Sequence, residues 1–360
     1  MIYFAVDGLR AHLLPNYLQG RWGSPLADRM GQATYPELFR ARCLARGAWI
    51  FTSLDALSPA ELELVHLMQR GARDAGLPVL NPAREALHRF ELLSSLHLAG
   101  INDFRVYRAN QSLESVRYPV FVRIADEHDG SLTPLLYHRR QLWRALAYTR
   151  LLGLAREQVL VVEFCETASA DGLYRKYSAF RVGDAYIARY LHAGPHWMTK
   201  EATRDDDQTL LAEELDFVRE SPHAAWVRQV FEIARIQYGR LDYSVRNGRP
   251  QAWEINITPT IAGDPAKRKA TAAEEQSRVL KNPAREHFHI KLREAFCAID
   301  PGPLEGSEIR VEFPPGLVEQ ARCERRELLA IERHRQWVSK IAATRGFRGV
   351  GPLLRRTFRS

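Results

Sequence analysis

Residues 241–259 read LDYSVRNGRPQAWEINITP. Before Asn247-Gly248, Leu241, Tyr243 and Val245 alternate with Asp242, Ser244 and Arg246; after it, Trp253, Ile255 and Ile257 alternate with Glu254, Asn256 and Thr258. Strict alternation on both sides of a turn signal predicts a hairpin with one buried face. Asp242, Glu254 and Asn256 occupy the other face, either as a solvated surface or with a shared task.

Register separates the two readings. A two-residue Asn247-Gly248 turn sets Asp242 opposite Trp253 and sends Glu254 to the other side. An odd loop centred on Gly248, or one bulge, sets Asp242 opposite Glu254, with Asn256 next along the same face. Only this second register gathers Leu241, Tyr243 and Val245 with Trp253, Ile255 and Ile257 on one side. Pro250 cannot donate a ladder hydrogen bond and suits an interruption there, so an odd or bulged loop is expected at residues 247–249. Two carboxylates then sit about 5 Å apart at Cβ, which is unfavourable without a cation beside them. Such oxygen donors suit Mg²⁺, which takes one or two carboxylates plus substrate phosphates; a solvated polar face accommodates the same acids.

The chain of 360 residues predicts two or three domains, and its 46% hydrophobic content with mixed charge argues against disorder. No apolar run approaches a membrane span, MIYFAVDG reads as a buried strand rather than a leader, and the four cysteines form no CxxC pair. A soluble, cytoplasmic protein without a zinc site is expected. The net charge of +8 is uneven: residues 318–360 hold eleven Arg and Lys against four Glu. Any polyanion contact, such as tRNA, or an acidic carrier or peptide, is therefore expected on this C-terminal stretch.

Upstream, Ile2–Val6, Ala48–Thr52 and Pro78–Leu80 read as strands. The capping box SPAE at Ser58–Glu61 opens a helix to about Gly76, so a small parallel sheet with packed helices is expected. Asn81-Pro82 reads as the start of another helix, stopped by Gly100. PVFVRI (119–124), VLVVEF (159–164), KYSAFRV (176–182) and AYIARYL (185–191) read as strands, with a helix at about 138–153 and a hairpin turn at Gly183-Asp184. A polar segment (199–210) and a helix to about Tyr238 come next. Beyond Ile261 the chain reads as polar and helical. Leu317–Thr344 is its longest helix, with Ala321, Leu328, Ile331, Val338 and Ile341 spaced for one face.

With its preceding strands, D-Y-S-V-x-x-G-x-x-x-x-W-E-I-N-x-x-P resembles the metal-binding end of the ATP-grasp superfamily. PVFVR followed by a Gly-containing loop resembles that family's phosphate-facing strand and flexible loop. VLVVEFCE resembles the hinge whose backbone reads adenine. The resemblance spans about residues 80–262. It implies an α/β (α+β) protein in four parts: a Rossmann-like domain at 1–82, ATP-grasp subdomains at 83–158 and 159–263, and a basic, mainly helical extension at 264–360.

It also implies ATP and Mg²⁺ as cofactors, with Asp242, Glu254 and Asn256 as metal ligands. Arg89 and Arg123 stand where the family usually has phosphate-binding lysines, a substitution that keeps a bidentate phosphate clamp. Glu163, Phe164 and Cys165 would meet adenine at the hinge, and Asp171 the ribose. Of Arg175 and Lys176, adjacent on one strand, one faces the nucleotide, with Arg175 favoured. His128 in ADEHDGS (125–131) is the candidate lid donor. Arg189, His196 and Lys200, around HAGPHWMTK (192–200), and Arg240 are candidates for a carboxylate or acyl-phosphate site.

The implied activity is ATP-dependent activation of a carboxylate as an acyl phosphate for attack by an amine, from small-molecule or peptide substrates. Alternatives are a kinase acting on a hydroxyl, or a non-catalytic nucleotide-binding scaffold with a polyanion-binding C-terminal helix. Homodimerisation is compatible with the sequence.

Overall fold

A computed structural model describes residues 1–127, 130–198, 207–261 and 282–344. The chain divides into two compact units: residues 1–87 with 167–318, and residues 88–166 with 319–360. The stretch 1–82, expected as a domain of its own, thus packs in one unit with the strands beyond residue 167.

Residues 1–87 form β1 (Ile2–Val6), α1 (Leu13–Gln19), β2 (Met30–Thr34), α2 (Tyr35–Ala41), β3 (Cys43–Leu44), β4 (Ala48–Phe51), α3 (Pro59–Asp74) and β5 (Val79–Leu80). Residues 88–166 form α4 (Arg89–Leu98), β6 (Val106–Arg108), β7 (Val120–Ile124), α5 (Arg139–Leu151) and β8 (Val159–Glu163). Then come β9 (Tyr174–Val182), β10 (Ala185–Gly194), α6 (Gln208–Glu220), α7 (Ala224–Ala234), β11 (Tyr238–Arg246), β12 (Arg249–Asn256), α8 (Asn282–Ile299), β13 (Ile309–Arg310) and α9 (Leu317–Thr344).

In the first unit, β2-β1-β4-β5 make the expected parallel sheet. The Ser58–Glu61 capping box closes as read: Glu61 N–H donates to Ser58 Oγ (3.3 Å) and Ser58 N–H to Glu61 Oε2 (2.8 Å). The edge strand β2 was not expected, because MGQAT buries only Met30 and carries no alternation. The helix expected from Asn81-Pro82 begins only at Arg89. Asn81 instead sits at φ 63° and bonds across the unit. Its Nδ2 donates to the carbonyls of Phe51 (3.1 Å) and Tyr238 (2.9 Å), and its Oδ1 accepts from the N–H groups of Gln237 and Tyr238 (2.9 Å each). Four bonds from one buried amide tie the parallel sheet to β11, which is why residues 1–82 do not stand apart.

The second sheet of this unit is antiparallel, in the order β10-β9-β11-β12. Side chains alternate across it. Tyr177, Ala179, Leu241 and Tyr243 point to one face, where Phe217 of α6 (5.0 Å from Tyr177) and Trp226 of α7 (5.0 Å from Tyr243) pack. The single helix expected before Tyr238 is two, broken at left-handed Ser221 (φ 47°) before Pro222. Lys176, Ser178, Phe180, Arg240 and Asp242 lie on the other face. There Phe288 of α8 packs against Phe180 with the rings tilted and 5.2 Å apart, while Phe296 of α8 reaches Phe4 (6.1 Å) and Tyr238 (6.2 Å).

In the second unit, β6-β8-β7 form an antiparallel sheet. Its Val120, Val122, Val159 and Val161 pack with Leu142, Ala145 and Leu146 of α5. On α9, Ala321 is buried and Glu324, Arg325, Leu328, Glu332 and Arg335 are half-buried, whereas Ile331, expected on the same face as Ala321 and Leu328, is 40% exposed. Val338 and Ile341 lie outside the described side chains. Several α9 charges pair along the helix, as in Arg322–Glu319 (3.2 Å) and Arg335–Glu332. Among the described residues no helix is long and apolar enough to cross a membrane.

Candidate active site

The hairpin of β11 and β12 sets Asp242 opposite Glu254, Leu241 opposite Ile255 and Arg240 opposite Asn256. The interruption that achieves this is not at the tip. Asn247 (φ 49°) and Gly248 (φ 76°) make a two-residue turn, the type I′ pattern that fits strand twist, and Val245 pairs directly with Pro250. The register slips three residues further on, where Trp253 is the extra residue between Ala252 and Glu254. Its indole N–H donates to Ser244 Oγ at 2.9 Å. The bulge corrects the parity that the even turn would otherwise impose.

One row of side chains crosses all four strands: Tyr190 pairs with Ser178, Ser178 with Asp242, and Asp242 with Glu254. Asp242 is buried and held from within its own strand. Arg240 Nε lies 2.9 Å from its Oδ1 and Arg240 Nη2 3.1 Å from its Oδ2, a bidentate grip. Lys176 Nζ stands 3.9 Å from Oδ2. Burial alone would lower the Arg240 pKa, but Asp242, Tyr190 and Glu254 outweigh it and raise it.

Tyr190, absent from the candidates read in the sequence, organises the cations. Lys176, Arg189 and Arg240 each lie within 6 Å of its ring centre, at 5.7, 5.8 and 5.7 Å. His192 stacks on the same ring at 4.1 Å. Burial first, and Asp242 second, push its phenol up to about 12.

Other expected residues fall elsewhere. Arg175 lies on the α6 face, the reverse of the preference stated for it. Glu213 takes its Nε (2.8 Å) and Asp171 its Nη2 (2.9 Å), so two carboxylates already saturate its fork. The same contact, together with the N–H of Leu173, holds Asp171 below the usual carboxylate range. Lys176, not Arg175, shares the acid face. His196 is exposed. His128 and Lys200 lie outside the described residues.

In the second unit, Arg89 and Arg123 are both buried and converge on one backbone oxygen. Arg89 Nη1 donates to the Glu127 carbonyl at 2.8 Å and Arg123 Nη2 to the same carbonyl at 3.2 Å. Arg89 also bonds the carbonyls of Ile124 and Ala125, and Arg335 of α9 pairs with the Glu127 carboxylate. Far from being a solvated helix residue, Arg89 shapes the loop that leaves β7.

The Glu163 carboxylate accepts from Arg117 N (2.9 Å), Arg117 Nη2 (2.6 Å), Arg105 N (3.1 Å) and Tyr107 Oη (3.2 Å). Burial raises its pKa, but these donors, Arg117 foremost, bring it below the ordinary value. The N–H groups of Glu163 and Phe164 are committed to the carbonyls of Arg105 (3.0 Å) and Pro119 (2.9 Å). Cys165 is buried beside them.

The donor set on the hairpin fits a hard cation in type: two carboxylates and one amide oxygen on one face. Among the described residues no three His, Cys, Asp or Glu side chains come together as a closed metal cage. An Asp–Glu–Asn set is instead an open one, whose remaining positions a ligand would fill. Asn256 Oδ1 already accepts from Thr258 N–H at 2.8 Å, which fixes the amide's orientation.

No family model and no curated protein matches the chain. Among solved structures it is similar to a D-alanine–D-alanine ligase from Bacillus anthracis complexed with ATP, at 13% identity over 85% of this chain and 98% of that one, with a TM-score of 0.43. It is similar to an L-amino acid ligase from Bacillus licheniformis at 13% identity, covering 86% and 78%, with a TM-score of 0.46. A RimK domain protein ATP-grasp from Sphaerobacter thermophilus DSM 20745 stands at 15% identity, 80% and 98% coverage and a TM-score of 0.41.

Proposed function

We propose that this protein is an ATP-dependent ligase of the ATP-grasp type, which activates a carboxylate as an acyl phosphate for attack by an amine. One observation carries the reading: Asp242 faces Glu254 across the hairpin, on a sheet face that also presents Lys176 and Arg240. A bulge that serves only to bring two acids together is costly in a purely structural hairpin, since like charges directly opposite are destabilising.

Asp242, Glu254 and Asn256 would hold Mg²⁺, which when bound neutralises phosphate charge. Arg240 keeps the Asp242 carboxylate in one orientation before any ligand arrives. Lys176 would offer its ammonium to an incoming phosphate on the same face. In the second unit, Arg123 would exchange its bond to the Glu127 carbonyl for a phosphate oxygen, and Arg89 would hold the loop from which that carbonyl projects. The segment Glu163–Cys165 would meet the adenine through its backbone. With no side-chain nucleophile required, the chain contributes positioning and fixed charge.

The test is ADP release by the full chain with Mg²⁺ and pools of carboxylates, with and without amines, alongside calorimetric binding of ADP with and without the metal. Amine-dependent ADP release and metal-dependent nucleotide binding are expected. ADP binding that ignores Mg²⁺ and is unchanged in Asp242→Asn would overturn the reading. A stable phosphorylated alcohol as product would replace the ligase by a kinase.

A further inference from the structure

The sheet face that carries Asp242 runs on toward α1 and α8, and there it holds polar groups that no other described residue satisfies. Arg189 is the extra residue of a second bulge, in β10 between Ala188 and Tyr190, and bulges of this kind re-aim a side chain. Its guanidinium lies 4.2 Å over the ring of Phe288, and its Nη2 donates to the Ile261 carbonyl at 3.0 Å. Burial brings its pKa down to about 10; Tyr190 and Glu214 oppose the shift, while Arg285 and Arg240 add to it. A guanidinium in these surroundings is short of negative charge.

His289, next to Phe288 on α8, is only 4% exposed. It stacks on Trp22 at 5.1 Å, with 9° between the planes, and on Tyr17 at 5.9 Å, with 21°. Burial, then Arg189 and Arg285, pull its pKa down to about 3, so the ring is neutral. Among the described residues its Nδ1 has no hydrogen-bond partner, and neither has the hydroxyl of Tyr17, itself 1% exposed. Phe288, which lies under the Arg189 guanidinium at 4.2 Å, also meets the His289 ring edge-on at 5.0 Å, and Tyr17 stacks on that ring at 5.9 Å, so the phenol, the imidazole and the guanidinium share one neighbourhood. Two orphaned polar atoms buried beside a cation cost free energy that a partner would return.

The donor inventory sets the type of partner. Arginine offers donors only, the tyrosine hydroxyl can donate, and a neutral imidazole donates from Nδ1 in one tautomer. The missing component is an acceptor carrying negative charge.

We propose that Tyr17, Arg189 and His289 form an oxyanion subsite that takes a carboxylate or phosphate group, with Trp22 and Tyr17 as aromatic walls stacked on the imidazole. Arg189 and Arg240 share the ring of Tyr190, so the subsite adjoins the acid pair. Calling its occupant a substrate rests on the ligase reading; the existence of the subsite does not. The substrate class it selects is a small molecule with a second anionic group, remote from the one that reacts.

The experiment is calorimetric titration of the full chain with inorganic phosphate and, separately, with succinate, in the absence of nucleotide and metal. Tyr17→Phe and His289→Phe are compared with the parent, because both keep the ring stack and delete only the orphaned groups. Saturable binding of at least one anion is expected, weakened about tenfold or more by each substitution, as loss of one bond to a charged group implies. The tighter of the two probes identifies the natural group as phosphate or carboxylate. No binding of either anion at millimolar concentration, or binding untouched in both variants, overturns the proposal. Turnover of the parent chain separates the two ideas: anion binding by a parent that shows no amine-dependent ADP release leaves the subsite standing while the ligase reading falls, and ADP release without anion binding does the reverse.

Discussion

The two faces of the β10-β9-β11-β12 sheet are built from alternate residues of the same strands and do opposite things. One is closed: Tyr177, Tyr243 and Tyr186 lie under Phe217, Trp226 and Phe231, and polar atoms there answer one another, as His223 Nδ1 does the Tyr243 hydroxyl at 3.0 Å. The other is open in its chemistry. It gathers Lys176, Arg189 and Arg240 around Tyr190, with Asp242 and Glu254 further along the same row, and toward α8 it leaves buried polar atoms without partners among the described residues. Stability is concentrated on the first face and charge on the second, so substitutions should separate the two properties by face.

The largest separation is expected at Asp242. Asp242→Asn should lower Mg²⁺-dependent ADP production at least about a hundredfold, the scale of a lost electrostatic group, while the thermal midpoint moves by only a few degrees. A variant with parental turnover would remove the functional distinction between the faces. On the closed face Phe231 is fully buried. Phe231→Ala should destabilise the chain by about 3–5 kcal/mol, read from the urea midpoint, and residual turnover should scale with the folded fraction.

A pH series sharpens the contrast. His289 is neutral when folded, with its pKa drawn down to about 3 by burial and by Arg189 and Arg285, and Tyr17 and Trp22 flank it. Its contribution is complete above the unfolded value near 6.5, and it fades as pH falls from there toward 3. At pH 5 the loss should be about 2 kcal/mol. In His289→Phe this part of the acid limb should flatten; an unchanged limb would mean that the ring is not buried as described. The smallest effect is expected at the hairpin tip. Gly248→Ala places a side chain at φ 76° and should cost about 1 kcal/mol, with turnover unaffected because the bulge lies between the tip and the acids.

Much of this was legible in the chain because short-range rules set it. The alternation in LDYSVRNGRPQAWEINITP announces the hairpin and the acid pairing, and SPAE marks the start of α3. What escaped was parity and distance. The extra residues Arg189 and Trp253 each exchange the faces of the residues beyond them, and neither leaves a local mark. Tyr190 was therefore unreadable, and the interruption expected at the hairpin tip lies at Trp253 instead. Arg175 and Lys176 differ by one position on a strand, and the pairing of Ser178 with Asp242 decides which turns away, to the carboxylates of Asp171 and Glu213. Asn81-Pro82 has the grammar of a helix start, yet Asn81 is spent on Phe51 and Tyr238. The meeting of Tyr17 with His289 spans most of the chain and obeys no motif.

The Trp253 bulge has a consequence for comparing sequences. A two-residue turn plus one bulged residue delivers the acids to the same places as a three-residue turn on regular strands, because both shift the pairing by one. Hairpins that differ by a residue at the tip can therefore present identical acid pairs, and hairpins of identical length can fail to. An alignment that charges a gap inside Asn247–Trp253 as it would inside a helix will misplace Glu254 by one position, which on a strand is the opposite face.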